Sequence, residues 1–526
     1  MMRRIQSTAL LLLGLALPLP VAAQESSMLY VIVGNDTLSR ERFSRTASEL
    51  SAEMVSPALG FRFRFTVSLD ASGLPVRMTN AFWLPTDAES AAARQRATLS
   101  FRPDSVIVEI EGGGSQRLGA QTGAFPFINP SFSLMELVVA RAIRVGGDRV
   151  TVPGFAVRGG QSFGMEVTRL GPDSVLLNIA GAPARLRVDA EGRILGGVVA
   201  EQNLRIMRGA ATSGSMNSAP PDYAAPAGAP YRAYDVTIQT PMGHTLAGTL
   251  TVPNGATASS RVAAVITSTG SGLQDRDEAI PSVSGYRLFR QVADTLSRHG
   301  IAVLRMDDRG FGGSGGNPGT ATSRDFADDI RAGLAWLRNR PEIDPARLAI
   351  VGHSEGGLIA PLVASTDPTL AGIVLLAGPS RTGRRIMEYQ QRSAIDRAPG
   401  FTETQRDSLR RVSQAATDSL AKTSPWMAEF IDYDPIPTAR SVRRTPVLIV
   451  HGSTDLQVTA DQAPELEAAF KAGGNRDVTM RVFANANHLL IQDLNGDPAQ
   501  YMSLPDRAVR ADILAAVLEW LRGRLR

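Results

Sequence analysis

The sequence predicts an α/β protein: a doubly wound, mostly parallel sheet in the second half of the chain, preceded by a β-rich N-terminal domain. Three observations predict it. From about residue 231 to the end, continuous Val/Ile/Leu runs alternate with helical patterns, as strands covered on both faces by crossover helices do. From 25 to about 208, apolar and polar residues alternate singly, as in half-buried antiparallel strands. Between them, 209–230 is rich in Ala, Ser, Gly and Pro, the composition of an interdomain linker. The chain of 526 residues has room for two or three domains, and 43% apolar with 20% charged residues suits a folded globular protein.

In chain order, residues 1–23 read as a signal peptide. Arg3 and Arg4 precede a short apolar run, and Val21-Ala22-Ala23 offers small residues for cleavage. The apolar run is short for a membrane span, so a soluble periplasmic or secreted protein is expected after cleavage. In 25–208, the runs 61–65, 105–110 and 174–179 have strand patterns. Gly/Asp-rich turns such as 70–73, 146–148 and 189–192 punctuate such runs, and a helix is expected over 131–143. This predicts an antiparallel sandwich or open barrel. After the linker, 234–238 and 245–252 form a hairpin. Further strands are expected at 262–267, 301–306, 348–352, 373–376, 447–450 and 478–483, with helices at 286–298, 323–339, 460–471 and 507–524. A helical, Arg-rich stretch at about 381–440 interrupts the alternation. An insertion there, between two core strands, is placed to lie over a site as a lid.

Composition excludes several classes. The net charge is +4, acids and bases are mixed, and no like-charge run marks a nucleic-acid surface. There is no cysteine, hence neither a disulfide framework nor a lipid-modified N-terminal Cys. Gly310-Phe-Gly-Gly-Ser-Gly-Gly316 is not followed by Gly-Lys-Ser/Thr and is not a phosphate loop. No His/Asp/Glu grouping has metal spacing, and no cofactor is expected.

The chemistry-bearing motif is Gly352-His353-Ser354-Glu355-Gly356, a G-x-S-x-G between a strand pattern and a helix pattern. A Ser in such a tight turn is lifted out of the sheet, with backbone N–H groups and a helix N-terminus beside it. Its hydroxyl needs a base. In this type of site the chain order is Ser, acid, His. Of five histidines, His244, His299, His353 and His451 precede an acid candidate or adjoin the nucleophile, leaving His488. The acid expected at a strand end between them is Asp455, after the 446–452 run, with Asp461 as rival in the next helix. Two N–H groups should hold an oxyanion: that of Glu355 and one from the loop 269–277. Ser271 is preferred for the second, with Gly272 or Leu273 as alternatives.

The segments 269–277, 308–314, 352–357, 451–455 and 487–488, together with 426–435, resemble those of bacterial α/β-hydrolase esterases related to dienelactone hydrolases and prolyl oligopeptidase-type catalytic domains. The resemblance covers about 231–526. It implies the α/β-hydrolase fold and carboxylic-ester hydrolysis more often than peptide hydrolysis. Thr269 stands where many relatives have His. The expected substrate is a small-molecule ester. The rival readings are a serine peptidase with the same triad and a non-catalytic binding protein on a hydrolase scaffold.

Overall fold

The computed structural model describes residues 25–526 apart from 34–35, 58–59, 180–181, 212–214, 218–220, 281–282, 284, 399–400 and 423. Residues 1–23, read as a signal peptide, lie outside the described residues. The chain divides into two compact units at 218/219.

In the N-terminal unit, a single 15-stranded sheet runs from β1 (Glu25–Val33) and β2 (Asp36–Arg45) to β15 (Leu204–Ala210). Single-residue alternation builds it: in the strand Phe61–Leu69, the side chains of Phe61, Phe63, Phe65 and Val67 are all buried. The helix α1 (Phe132–Val145) follows β9 (Phe125–Phe127) and precedes β10 (Arg149–Ala156). Ser131 caps it, its Oγ accepting Leu134 N–H. Helix α1 touches β2 as well as β9, β10 and β11 (Ser162–Gly171). Strand β2 lies far from β10 in the strand order, so the sheet curls around the helix. This explains why Leu134, Met135, Leu137, Val138 and Val139 are buried nearly all round it. Of the two forms left open by the sequence, this curled open sheet is nearer the barrel.

Glu136 of α1 is also buried, and three donors hold its carboxylate. They are Arg208 at 2.7 Å, Ile194 N–H at 3.0 Å and Arg45 at 3.3 Å.

The C-terminal unit holds an eight-stranded sheet: β16 (Tyr231–Gln239), β17 (Thr245–Pro253), β18 (Val262–Ser268), β19 (Ala302–Met306), β20 (Ile343–His353), β21 (Gly372–Leu376), β22 (Val447–Gly452) and β23 (Val478–Phe483). Their spatial order is β16-β17-β19-β18-β20-β21-β22-β23, parallel from β19 onward. Successive strand residues serve opposite cores. Ile266, Ile350 and Ile373 face α3 (Ser323–Arg338), α4 (Glu355–Ala364) and α9 (Gln462–Ala472). Val265, Val351 and Val374 face α2 (Leu288–Arg298) and α10 (Ala511–Arg524). This two-sided burial produces the unbroken aliphatic runs in the sequence. The expected insertion is present between β21 and β22 as α5 (Gly383–Arg397), α6 (Glu403–Ala421), α7 (Pro425–Asp432) and α8 (Pro435–Ser441). The fold is that of the α/β hydrolases.

The boundary falls within the 209–230 tract, and parts of that tract are anchored. Met216 packs against Met28 and Val55, and Arg40 donates to the Met216 carbonyl at 2.9 Å. In the C-terminal unit, Tyr223 carries the Arg276 guanidinium 4.2 Å over its ring and donates its hydroxyl to Asp275 at 3.2 Å.

Candidate active site

The candidate site gathers loops from the C-terminal ends of β18, β20, β22 and β23. Strand β20 ends at His353 and α4 begins at Glu355. Ser354 between them has φ 52° and ψ −116°. Few L-residues adopt this backbone, and the strain persists only where surroundings fix it. The motif glycines show what fixes it. A Cβ on Gly352 would lie 2.0 Å from the Gly356 carbonyl oxygen, and one on Gly356 would lie 2.0 Å from that of Ser268. Ser354 N–H donates to Leu376 O at 2.8 Å, pinning the turn to β21. Its neighbours are buried, whereas Ser354 is partly exposed.

His488 and Asp455 meet, as the chain order implies. His488 Nδ1 lies 2.8 Å from Asp455 Oδ2. Asp455 Oδ1 accepts the backbone N–H groups of Gln457 and Val458 at 2.8 and 2.9 Å, so the carboxylate cannot turn. Burial pushes the Asp455 carboxyl upward, but His488 and His451 beside it outweigh that and hold it well below the usual range. The two loops are tied together by Thr454 N–H donating to Ala486 O at 3.0 Å. The loop of His488 is braced by Asn487, which accepts from Leu489 N–H at 2.9 Å and donates to Asp493 at 3.1 Å. The rival Asp461 stands at the N-cap position of α9 without a side-chain capping bond and pairs with Arg381.

Ser354 and His488 line one cavity of about 400 Å³, and no direct hydrogen bond joins them. Ser271 and Glu355 line it too. No protein acceptor takes the backbone N–H of either among the described residues, whereas Gly270 N–H donates to Glu278 at 2.9 Å. Helices α5 and α7 of the insertion supply much of the opposite wall through Ile386, Met387, Trp426, Met427 and Phe430. Trp426 stacks on Phe430 at 5.0 Å, and its indole N–H donates to Glu355 Oε1 at 2.8 Å. Ser323 Oγ donates to the same oxygen at 2.6 Å. Burial raises the Glu355 carboxyl above its ordinary range, partly offset by these bonds.

The other histidines are committed elsewhere. His244 pairs with Asp329 at 2.9 Å, and His299 sits at the end of α2 with Nδ1 on Thr295 O at 2.7 Å. His451 is buried and donates from Nε2 to Val458 O at 2.8 Å. His353 lines the cavity beside Ser354, but both its ring nitrogens are taken, by Glu278 at 2.7 Å and by the His488 carbonyl oxygen at 2.9 Å. Sequence reasoning missed Glu278, although it directly follows the 269–277 loop and closes the charged run that begins at Asp275. Among the described residues, no three His, Cys, Asp or Glu side chains cluster to hold a metal.

Comparison with known proteins adds the following. A hydrolase family described as serine aminopeptidase, S33, matches residues 283–495. An uncharacterized protein of Mycobacterium tuberculosis is 38% identical over 89 residues, 17% of this chain and 31% of that protein. An uncharacterized peptidase, YuxL, of Bacillus subtilis is 29% identical over 223 residues, 41% of this chain and 30% of its own. The match thus spans under a third of the length of these curated relatives. Among solved structures, the Pyrococcus furiosus esterase Pf2001 aligns with TM-score 0.40 and 20% identity, over 58% of this chain and 97% of its own. Est1E from Butyrivibrio proteoclasticus, solved with ferulic acid, aligns with TM-score 0.35 and 17% identity, over 55% and 98%.

Proposed function

We propose, from a C-terminal unit of the α/β-hydrolase superfamily, that this hydrolase cleaves carboxylic esters through Ser354, His488 and Asp455. The observation that carries the reading is the 2.8 Å contact of His488 Nδ1 with a locked Asp455, in the same cavity as a Ser held at φ 52°. Ser354 Oγ attacks the ester carbonyl carbon while His488 Nε2 takes its proton. Asp455 fixes the imidazole tautomer and stabilises the imidazolium. Contacts between such a Ser and His are often long until substrate binds. The oxyanion is held by the Ser271 and Glu355 N–H groups, both left without protein acceptors. His488 returns the proton to the leaving alcohol. It then activates water, which releases the acid from Ser354.

The wall favours neutral, apolar substituents. Its described ionisable acids are Glu278 and Glu355, both buried and hydrogen-bonded within the protein. From the insertion the wall takes Ile386, Met387, Trp426, Met427 and Phe430, with the neutral amide of Gln390 among them. A peptidase is the second reading, favoured by the family description matched over 283–495. Export to the periplasm or medium is proposed on residues 1–23.

The test is hydrolysis of p-nitrophenyl acetate and butyrate by the purified protein beside Ser354→Ala, with aminoacyl p-nitroanilides in parallel. Loss of ester hydrolysis in a folded Ser354→Ala protein is expected. Equal rates in both proteins would exclude Ser354 as nucleophile. Preferential anilide cleavage would replace the esterase reading by the peptidase one.

A further inference from the structure

We propose that Glu278 and His353 form a positioning pair that locks the oxyanion loop to the base loop behind Ser354. The inference rests on the triad reading and concerns what holds the triad in register.

His353 Nε2 lies 2.9 Å from the His488 carbonyl oxygen, which can only accept, so Nε2 carries a proton. Nδ1 lies 2.7 Å from Glu278 Oε1, a contact that needs a second proton, shared between ring and carboxylate. With both nitrogens occupied, His353 is no base for Ser354, although it adjoins it in sequence. Glu278 Oε1 also accepts Gly270 N–H at 2.9 Å. A single chain therefore runs from Gly270 N–H through Glu278 and His353 to the His488 carbonyl. It joins the loops that follow β18 and β23 through the last residue of β20. Each end abuts a reacting group. Gly270 precedes Ser271, and a Cβ on Gly270 would stand 3.2 Å from Ser354 Cβ. The other end holds the backbone of His488 itself.

Stability alone does not account for this arrangement. The two side chains are 1% and 2% exposed, a depth at which an ion pair seldom repays its desolvation. Glu278 also sits at φ 51°, and its Oε2 is buried without a hydrogen-bond partner. An apolar pair at these positions would leave no orphaned oxygen. Such costs gather where geometry serves a site.

The test uses Glu278→Gln. A Gln Oε1 can still accept Gly270 N–H. A neutral His353, however, has one N–H for two acceptors, so the chain breaks at one link. With the p-nitrophenyl ester that the parent cleaves, kcat per site titrated by a fluorophosphonate is expected to fall about 10–100-fold, the effect of sub-ångström to ångström misplacement. KM should stay within about threefold, because Gln keeps the size and shape of Glu278 in the cavity wall. His353→Gln should fall similarly, and the double variant no further than the worse single, the signature of residues acting as one unit. A folded Glu278→Gln protein with kcat within about twofold of the parent overturns the proposal. Additive losses in the double variant overturn it as well. Failure of both single variants to fold, while Ser354→Ala folds, makes the pair a structural element and also overturns it. Ser354→Ala run alongside separates these outcomes from failure of the triad reading, since activity surviving there indicts the nucleophile and not the pair.

Discussion

Replacing Asp455 by Asn tests the site where its geometry is most constrained. The two amides on Oδ1, from Gln457 and Val458, are donors and demand an oxygen there. The Asn amide is therefore oriented with its NH2 group in place of Oδ2, facing His488 Nδ1. A donor at that point requires Nδ1 to present a lone pair, which moves the ring proton to Nε2. The base then carries the proton it should be accepting. The charge term agrees in size. A unit charge pair at the 2.8 Å separation of His488 and Asp455 is worth about 6 kcal/mol at an effective dielectric of about 20. At about 1.4 kcal/mol per decade that is a fall of about 10⁴-fold in kcat, similar to the loss reported for Asp→Asn in other Ser-His-Asp sites. The assay is steady-state p-nitrophenyl butyrate hydrolysis, with circular dichroism to confirm folding. A folded Asp455→Asn protein that keeps more than about a tenth of the parental kcat would refute the reasoning. If Asp461→Asn shows the large loss instead, the surface rival is the acid.

The remaining predictions concern the frame. Gly356→Ala places a Cβ 2.0 Å from a backbone oxygen that cannot yield. It should destabilise by at least about 1–3 kcal/mol in urea unfolding, whereas Gly523→Ala, with open space around its Cβ, should be neutral or gain up to about 1 kcal/mol. Glu355 has a raised carboxyl, so the folded state keeps its proton to higher pH than the unfolded chain does. Its contribution to stability must decline as pH rises from the ordinary carboxylate value of 4.5 through the raised one. The Tm of Glu355→Gln should therefore gain on the parent over that window, and a constant difference across pH would contradict the burial argument. Glu136→Ala removes the acceptor from Arg45, Arg208 and Ile194 N–H in the N-terminal unit, at a cost of about 3–5 kcal/mol. Chemical denaturation followed by limited proteolysis should show the N-terminal unit opening first, and an unmoved transition would count against the role of that fork.

What the sequence discloses here follows the range of the forces involved. Strands β18 to β22 stand out because two-sided burial leaves continuous aliphatic runs. Helix α1 is legible from its apolar density and Ser131 cap. Chain order and strand context single out Ser354, Asp455 and His488, and the fold brings His488 onto Asp455 and into the cavity that Ser354 lines. Glu278 and His353 are 75 residues apart, and nothing local marks a carboxylate that turns inward to meet an imidazole. Composition made 209–230 a linker, yet Met216 and Tyr223 are packed. Two bulky side chains among small ones were the available sign. Alternation in 25–208 identifies strands but not their closure, because a sandwich and a curled sheet share the same period of two.

The strand order of the N-terminal unit gives one strand a special office. The seven strands within residues 36–119 lie to one side of β1 and the seven within 125–210 to the other, so seven strands hang from each of its edges. Met28 pairs with Arg42 on one edge and Gly209 on the other. Strand β1 is a keystone: it is the first strand of the unit and is completed only by the last, β15. Nothing can join its second edge until residues 204–210 have been made and delivered. Until then its apolar side chains Met28, Leu29, Val31 and Val33 flank an open ladder, the kind of edge on which chains aggregate. Trimming from the front past residue 33 would not shorten the sheet by a strand. It would cut the sheet into two seven-stranded arms, each with a raw edge at its centre.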